Sequence, residues 1–129
     1  MVQRVLELTD GKKCPVVYDS VGKSSWEISL DCVAPRGLLV SFGNASGAVT
    51  GVNLGVLAQK GSLFVTRPTL MTYTAKREDL VATTSDLFDV VKSGKVRIDI
   101  NQTYPLKEVV KAHQDLEARK ITGSTVFLP

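Results

Sequence analysis

Cys14, Cys32 and His113 are the residues with which this chain could build a metal centre or an activated nucleophile, since it holds only two cysteines and one histidine. A structural zinc site takes about four ligands and a catalytic one about three, commonly in close-spaced pairs. That inventory is too thin and too scattered for either. Cys14 stands beside an apolar run and Cys32 inside a helical pattern, so both are read as small buried thiols in a reducing compartment. His113 shares a helical face with Leu106, Val109, Val110 and Leu116 and has no carboxylate or thiol at triad-like spacing. A packed structural histidine is expected there.

Phosphate recognition is the second possibility. A dinucleotide-binding βαβ unit opens with Gly-x-Gly-x-x-Gly, whose glycines let the backbone approach a pyrophosphate at a helix N-terminus. Gly43, Gly47 and Gly51 have the wrong spacing, and no convincing helix opens after Gly47. The chain does offer three loops rich in small residues or donors: Asp19-Ser20-Val21-Gly22, Phe42-Gly43-Asn44-Ala45-Ser46 and Val65-Thr66-Arg67-Pro68. Ligands of open α/β sheets lie across the carboxyl ends of the strands. Ordinary turn chemistry favours the same residue types, so spacing alone leaves both readings open.

The elements that would position these loops follow from hydrophobic period. Met1 to Thr9 reads as a helix already under way, with Val2, Val5 and Leu6 on one face, and Asp10-Gly11 ends it. Pro15–Asp19, Leu38–Phe42 and Ser62–Thr66 are short apolar runs closed by turn residues, the pattern of buried strands. Between the first two, Ser24 and Glu27 have capping-box spacing. Trp26, Leu30 and Val33 then make an apolar stripe to about Ala34, where Pro35-Arg36-Gly37 breaks it. Asn53–Lys60 is a short helix between the second and third strands. Strand, helix, strand, helix, strand with short connections predicts right-handed crossovers and a parallel sheet.

Downstream, a long helix spans about Ala75–Ser93, with Leu80, Thr84, Leu87, Phe88 and Val91 on one face and Gly94 as its stop. Val96-Arg97-Ile98-Asp99-Ile100 alternates with period two and predicts a half-wet strand. Pro105 introduces a helix over about Lys107–Arg119, and Thr125–Leu128 is a final strand. The chain reads as one incomplete domain over 1–129, with a division near residue 70.

Composition agrees with a packed aliphatic α/β core. Of 129 residues, 43% are apolar but only 6% aromatic, which suits Val-, Leu- and Ile-rich parallel strands. The net charge of +3, from 16 basic and 13 acidic residues, is scattered rather than gathered into a stripe with stacking aromatics. Nucleic-acid binding is therefore not expected. No signal-peptide pattern opens the chain and no apolar run approaches about 18 residues. A cytoplasmic protein without a membrane partner is expected.

The words themselves are more specific than their spacing. Val16-Val17-Tyr18-Asp19-Ser20-Val21-Gly22, a Trp-bearing helix, and Arg36-Gly37-Leu38-Leu39-Val40-Ser41-Phe42-Gly43-Asn44-Ala45-Ser46-Gly47 follow one another in order. Gly61-Ser62-Leu63-Phe64-Val65-Thr66-Arg67-Pro68, Ala112-His113 and Gly123-Ser124-Thr125-Val126-Phe127-Leu128-Pro129 complete the series. Together they resemble the NADPH-dependent quinone oxidoreductases, the zinc-independent branch of the medium-chain dehydrogenase/reductase superfamily.

The resemblance covers only the carboxy-terminal part of that family's pattern. It implies the later half of a Rossmann-type, three-layer α/β/α dinucleotide-binding domain, followed by helices and strands that pack on a substrate domain. The glycine fingerprint and the substrate domain would lie before Met1. The implied activity is hydride transfer from NADPH to quinones or enones, by a parent protein of which this chain is the cofactor-cleft and dimer-forming portion.

By the resemblance, Ser20 and Gly22 pass the cofactor's ribose, while Phe42, Gly43, Asn44 and Ser46 stand beside the nicotinamide half. Phe64 and Val65 lie near the carboxamide, and Arg119 at the cleft's edge. No catalytic residue is assigned. The strand ending Phe64-Val65-Thr66 is expected to pair with its twin in a homodimer through Leu63–Thr66. The outer edge of the Val16–Tyr18 strand is expected to be covered, either by Val96–Ile100 and Thr125–Leu128 or by a second copy. The competing reading is a stand-alone, non-catalytic interaction module.

Overall fold

A computed structural model describes residues 1–129, which divide into two compact units, Met1–Lys76 and Arg77–Pro129. The first holds α1 (Val2–Leu8), β1 (Cys14–Asp19), α2 (Trp26–Cys32), β2 (Val33–Ser41), α3 (Gly55–Gln59), β3 (Phe64–Thr66) and α4 (Leu70–Tyr73). The sheet runs β1-β2-β3 with every neighbour parallel, as the alternating pattern predicts. Tyr18 pairs with Val40 and Asp19 with Ser41, while Leu39 pairs with Val65.

Right-handed crossovers that advance in one direction across a sheet must lay both connecting helices on the same face. The packing has that result. Leu30, Val33, Leu39 and Leu63 form the core, with Val17, Trp26, Val56 and Leu57 packed on it. Val17 and Leu39 are register partners, so α2 and α3 cover their face. The opposite face is open toward the outer strands: Tyr18 is 72% exposed and Phe64 63%, and Val16 is exposed beside them, while Val40 on the central strand is buried.

Several expectations are corrected. The Ser24–Glu27 capping box does not form. Ser25 holds the N-cap position without a side-chain cap, and Glu27 pairs instead with Lys60 at 3.7 Å. The strand expected from Leu38 starts at Val33, directly after the helix. Pro35-Arg36-Gly37 is a bulge within β2 rather than a break: the register jumps from Cys14↔Val33 to Val16↔Leu38. Arg36 takes a left-handed φ of 60° there, and its N–H donates to the Gly61 carbonyl at 2.7 Å. Cys32 is buried, but Cys14 is only half-buried because β1 is an edge strand.

The second unit holds α5 (Arg77–Lys92), β4 (Ile100–Pro105), a 3₁₀ turn (Leu106–Glu108), α6 (Val109–Glu117) and β5 (Ser124–Leu128). The expected strand Val96–Ile100 is displaced, because backbone pairing rather than side-chain alternation decides it. The ladder with β5 begins only at Ile100↔Ser124 and runs to Pro105↔Leu128. Gln102 supports it from its side chain, donating to the Thr122 carbonyl at 2.8 Å and accepting from Thr125 at 3.1 Å. Residues 96–99 lie outside any strand, with Val96 and Ile98 exposed. β4 and β5 form a second, two-stranded sheet of their own. No residue of α5 is buried. No helix is long and apolar enough to cross a membrane.

Candidate functional site

The site is built at the carboxyl ends of the first sheet, where two loops are laced together. The Asp19 carbonyl accepts from Phe42 N–H at 2.8 Å and from Gly43 N–H at 3.3 Å. The Ser20 carbonyl accepts from Ala45 N–H at 3.3 Å, the Val21 carbonyl from Ser46 N–H at 2.7 Å, and Gly47's carbonyl from Lys23 N–H at 3.0 Å. The Ser46 hydroxyl adds a cross-link: it donates to the Val21 carbonyl at 2.8 Å and accepts from Ser24 N–H at 2.9 Å.

Glycine is required at two points of this seam. A methyl at Gly22 would come within 2.6 Å of the Gly47 carbonyl oxygen, and Gly22 has φ of +91°. A methyl at Gly43 would overlap the Ser20 backbone, with its Cα and carbonyl carbon both at 2.8 Å.

Beneath the first loop lies a buried carboxylate that sequence reasoning did not single out. Asp19 is 5% exposed and accepts five times from four groups. The amides of Val21 and Gly22 donate to Oδ1 at 2.7 and 3.0 Å. The Ser25 hydroxyl reaches both oxygens, at 2.8 and 2.7 Å, and Ser29 reaches Oδ2 at 2.6 Å. Burial alone would raise the Asp19 pKa, but the hydrogen bonds from Ser29, Gly22, Ser25 and Val21 outweigh it and hold the group at about 2. Asp19 is thus an ionised, fully satisfied anchor.

Beside the laced loops is a hollow of about 280 Å³. Trp26, Val49 and Val65 give it apolar walls, and Ser41, Asn44 and Arg67 bring polar groups. An apolar recess with a few convergent polar groups suits a planar, partly polar ligand moiety.

The nine residues singled out from sequence fare differently. Asn44 and Val65 line the hollow. Ser20, Gly22, Gly43 and Ser46 belong to the seam. Phe42 and Phe64 are not core side chains: both are exposed, and Phe42 stands edge-on to Tyr18 with ring centroids 6.4 Å apart. Arg119 belongs to the second unit, exposed just past α6 in a left-handed conformation with φ of 56°. Sequence reasoning missed Trp26 and Ser41 as lining residues and named Arg67 only within the Val65–Pro68 loop, although each sits at a strand end or on the helix that follows one.

His113 corrects an expectation. It is exposed rather than packed, at an apolar hollow of about 220 Å³ formed by Ala112, Leu116, Ile121, Thr125 and Phe127.

A family model described as zinc-binding dehydrogenase matches residues 2–127. The chain is 67% identical over 129 residues to a quinone oxidoreductase of Pseudomonas aeruginosa, a match that takes in 100% of this chain and 40% of that protein. The structure of the quinone oxidoreductase of Pseudomonas syringae superposes with a TM-score of 0.91 at 58% identity, covering 100% of this chain and 40% of the other. That of the Escherichia coli quinone oxidoreductase complexed with NADPH gives 0.91 at 55% identity, covering 99% and 40%. The chain therefore spans about 40% of the length of the relatives it matches.

Proposed function

Since the chain belongs to the zinc-binding dehydrogenase family, we propose that it forms the nicotinamide-side wall of an NADPH cleft in an oxidoreductase that reduces quinones or related enones. The observation that carries this reading is the hollow at the carboxyl ends of β2 and β3, the place where open parallel sheets receive ligands. The likeness to quinone oxidoreductases, one of them complexed with NADPH, supports the choice of cofactor and acceptor.

In this reading Asn44, Ser41 and Arg67 supply polar contacts to the nicotinamide end of the cofactor, and Trp26 and Val65 pack against its ring. NADPH, when bound, supplies the hydride; the chain's part is to orient the ring and keep water from one side of it. The laced loops hold Asn44 at the hollow without drawing on its side chain, while Ser46 spends its hydroxyl within the protein. Pyrophosphate recognition belongs to a glycine fingerprint carried by polypeptide outside this sequence. Arg119 is retained as a cofactor contact on the resemblance alone.

The family's description implies zinc, and the residues of this chain do not fit it. No three His, Cys, Asp or Glu side chains converge. Cys32 is buried, and that burial, with Cys14 second, pushes its thiol pKa up, away from the thiolate a metal needs. Both thiols remain free in the reducing, cytoplasmic setting that the reading includes.

The test is quinone-dependent loss of NADPH absorbance, with 1,4-benzoquinone as acceptor, in the longest native polypeptide that carries this sequence. Steady oxidation, with a raised KM for NADPH in Asn44→Ala, is the expected result. Absence of oxidation overturns the reading. A homodimeric, non-catalytic module is the second reading, favoured by the open sheet face; dimerisation without NADPH oxidation would select it.

A further inference from the structure

The two loops of the site meet through main-chain groups, and main-chain groups are placed only as firmly as the segment behind them. Behind Ser20–Gly22 stands Asp19, whose carboxylate accepts from the Val21 and Gly22 amides and ties them to Ser25 at the N-cap of α2 and Ser29 within it. The carbonyls of Asp19, Ser20 and Val21 in turn receive Phe42, Gly43, Ala45 and Ser46. One side chain thus sets the shape of the first loop, and the first loop is the template for the second.

We infer that Asp19 is the positioning residue of the site: its carboxylate, through the Ser20–Gly22 backbone, fixes the Phe42–Ser46 loop and aims Asn44 into the hollow, without touching a ligand itself. The alternative is a buried polar cluster that stabilises the fold evenly and aims nothing. The geometry favours the first, because two of the four donors are amides of the loop, and the carbonyls within and beside that turn face the second loop. The functional consequence rests on the cleft reading above; the mechanical one does not.

Asp19→Asn keeps the shape but removes the charge and one acceptor oxygen. Amide hydrogen exchange on the 129-residue chain reads the outcome residue by residue. Exchange at Ala45 and Ser46 is expected to rise at least about tenfold, the scale of losing a hydrogen bond to a charged group, while Leu39 and Val40 change far less. A rise of equal size at all four overturns the inference, because it marks global destabilisation. So does a rise confined to Val21 and Gly22, because the second loop then stands on its own.

If Asp19→Asn does not fold, Ser29→Ala keeps the carboxylate and removes its shortest donor. The same pattern at smaller size is expected, and a uniform or absent change overturns the inference. Titration with reduced nicotinamide mononucleotide separates the two readings. An unresponsive Asn44 amide in the longest native polypeptide that carries this sequence counts against the cleft and leaves the exchange result standing. A response that is at least about fivefold weaker in Asp19→Asn, with Leu39 and Val40 exchange preserved, ties the positioning to the ligand.

Discussion

Gly43 lies against the Ser20 backbone so closely that a Cβ on it would stand 2.8 Å from both the Cα and the carbonyl carbon of Ser20. The atoms in the way are main chain, so no rotamer change relieves the overlap. Gly43→Ala is expected to destabilise the first unit by about 1–3 kcal/mol, toward the upper end of overpacking costs. Urea unfolding followed by Trp26 fluorescence measures it. An unchanged midpoint would mean that the two loops separate freely.

Asp19 makes stability depend on acid. Its folded pKa, at about 2, lies below the ordinary carboxylate value of 3.8. The unfolded chain therefore binds the proton more readily. The contribution is complete above about pH 4 and is lost as pH falls through about 2. Its size is roughly 2 kcal/mol. Urea midpoints between those pH values should fall more steeply for the parent chain than for Asp19→Asn, and parallel slopes would refute the assignment.

The 129-residue chain by itself should bind NADPH weakly or not at all and reduce no quinone. Much of a dinucleotide's anchoring comes from its pyrophosphate, and Gly43, Gly47 and Gly51 do not form the fingerprint that grips it. Calorimetry decides the point. Micromolar affinity would reveal a phosphate site elsewhere in the chain.

β3 ends the sheet with one side unpaired, and Phe64 and Val65 are exposed on it. A bare apolar edge strand invites pairing with another copy, so a homodimer through Leu63–Thr66 is expected. Val65→Pro removes an N–H and should shift the light-scattering mass to that of a monomer. A dimer that survives the substitution would place the interface on another surface.

Much of the sheet was legible because β1 and β3 are apolar runs closed by turn residues, and α5 keeps a helical period to its glycine stop. β2 was read five residues late at its start, since Pro35-Arg36-Gly37 carries every local mark of a break; only the pairing of Cys14 with Val33 and the bond from Arg36 to Gly61 keep it in the strand. β4 was misplaced for the converse reason. Val96–Ile100 alternates well but has little to pair with, whereas the polar Asn101-Gln102-Thr103-Tyr104 is held by β5. At the site, Asn44 and Val65 could be named from their words. Asp19 could not, because its role depends on Ser25 and Ser29 reaching it from the next helix.

The one-directional order β1-β2-β3 also bears on how the polypeptide comes together in time. Each strand pairs with its nearest sequence neighbour across a single short crossover, so the sheet forms by closing two modest loops in turn, with no distant partner required. The strands, α2 and α3 can therefore assemble on their own clock. Tyr18 and Phe64 stay exposed once that sheet has formed, so if a second copy pairs there, the rate of that step is expected to scale with concentration.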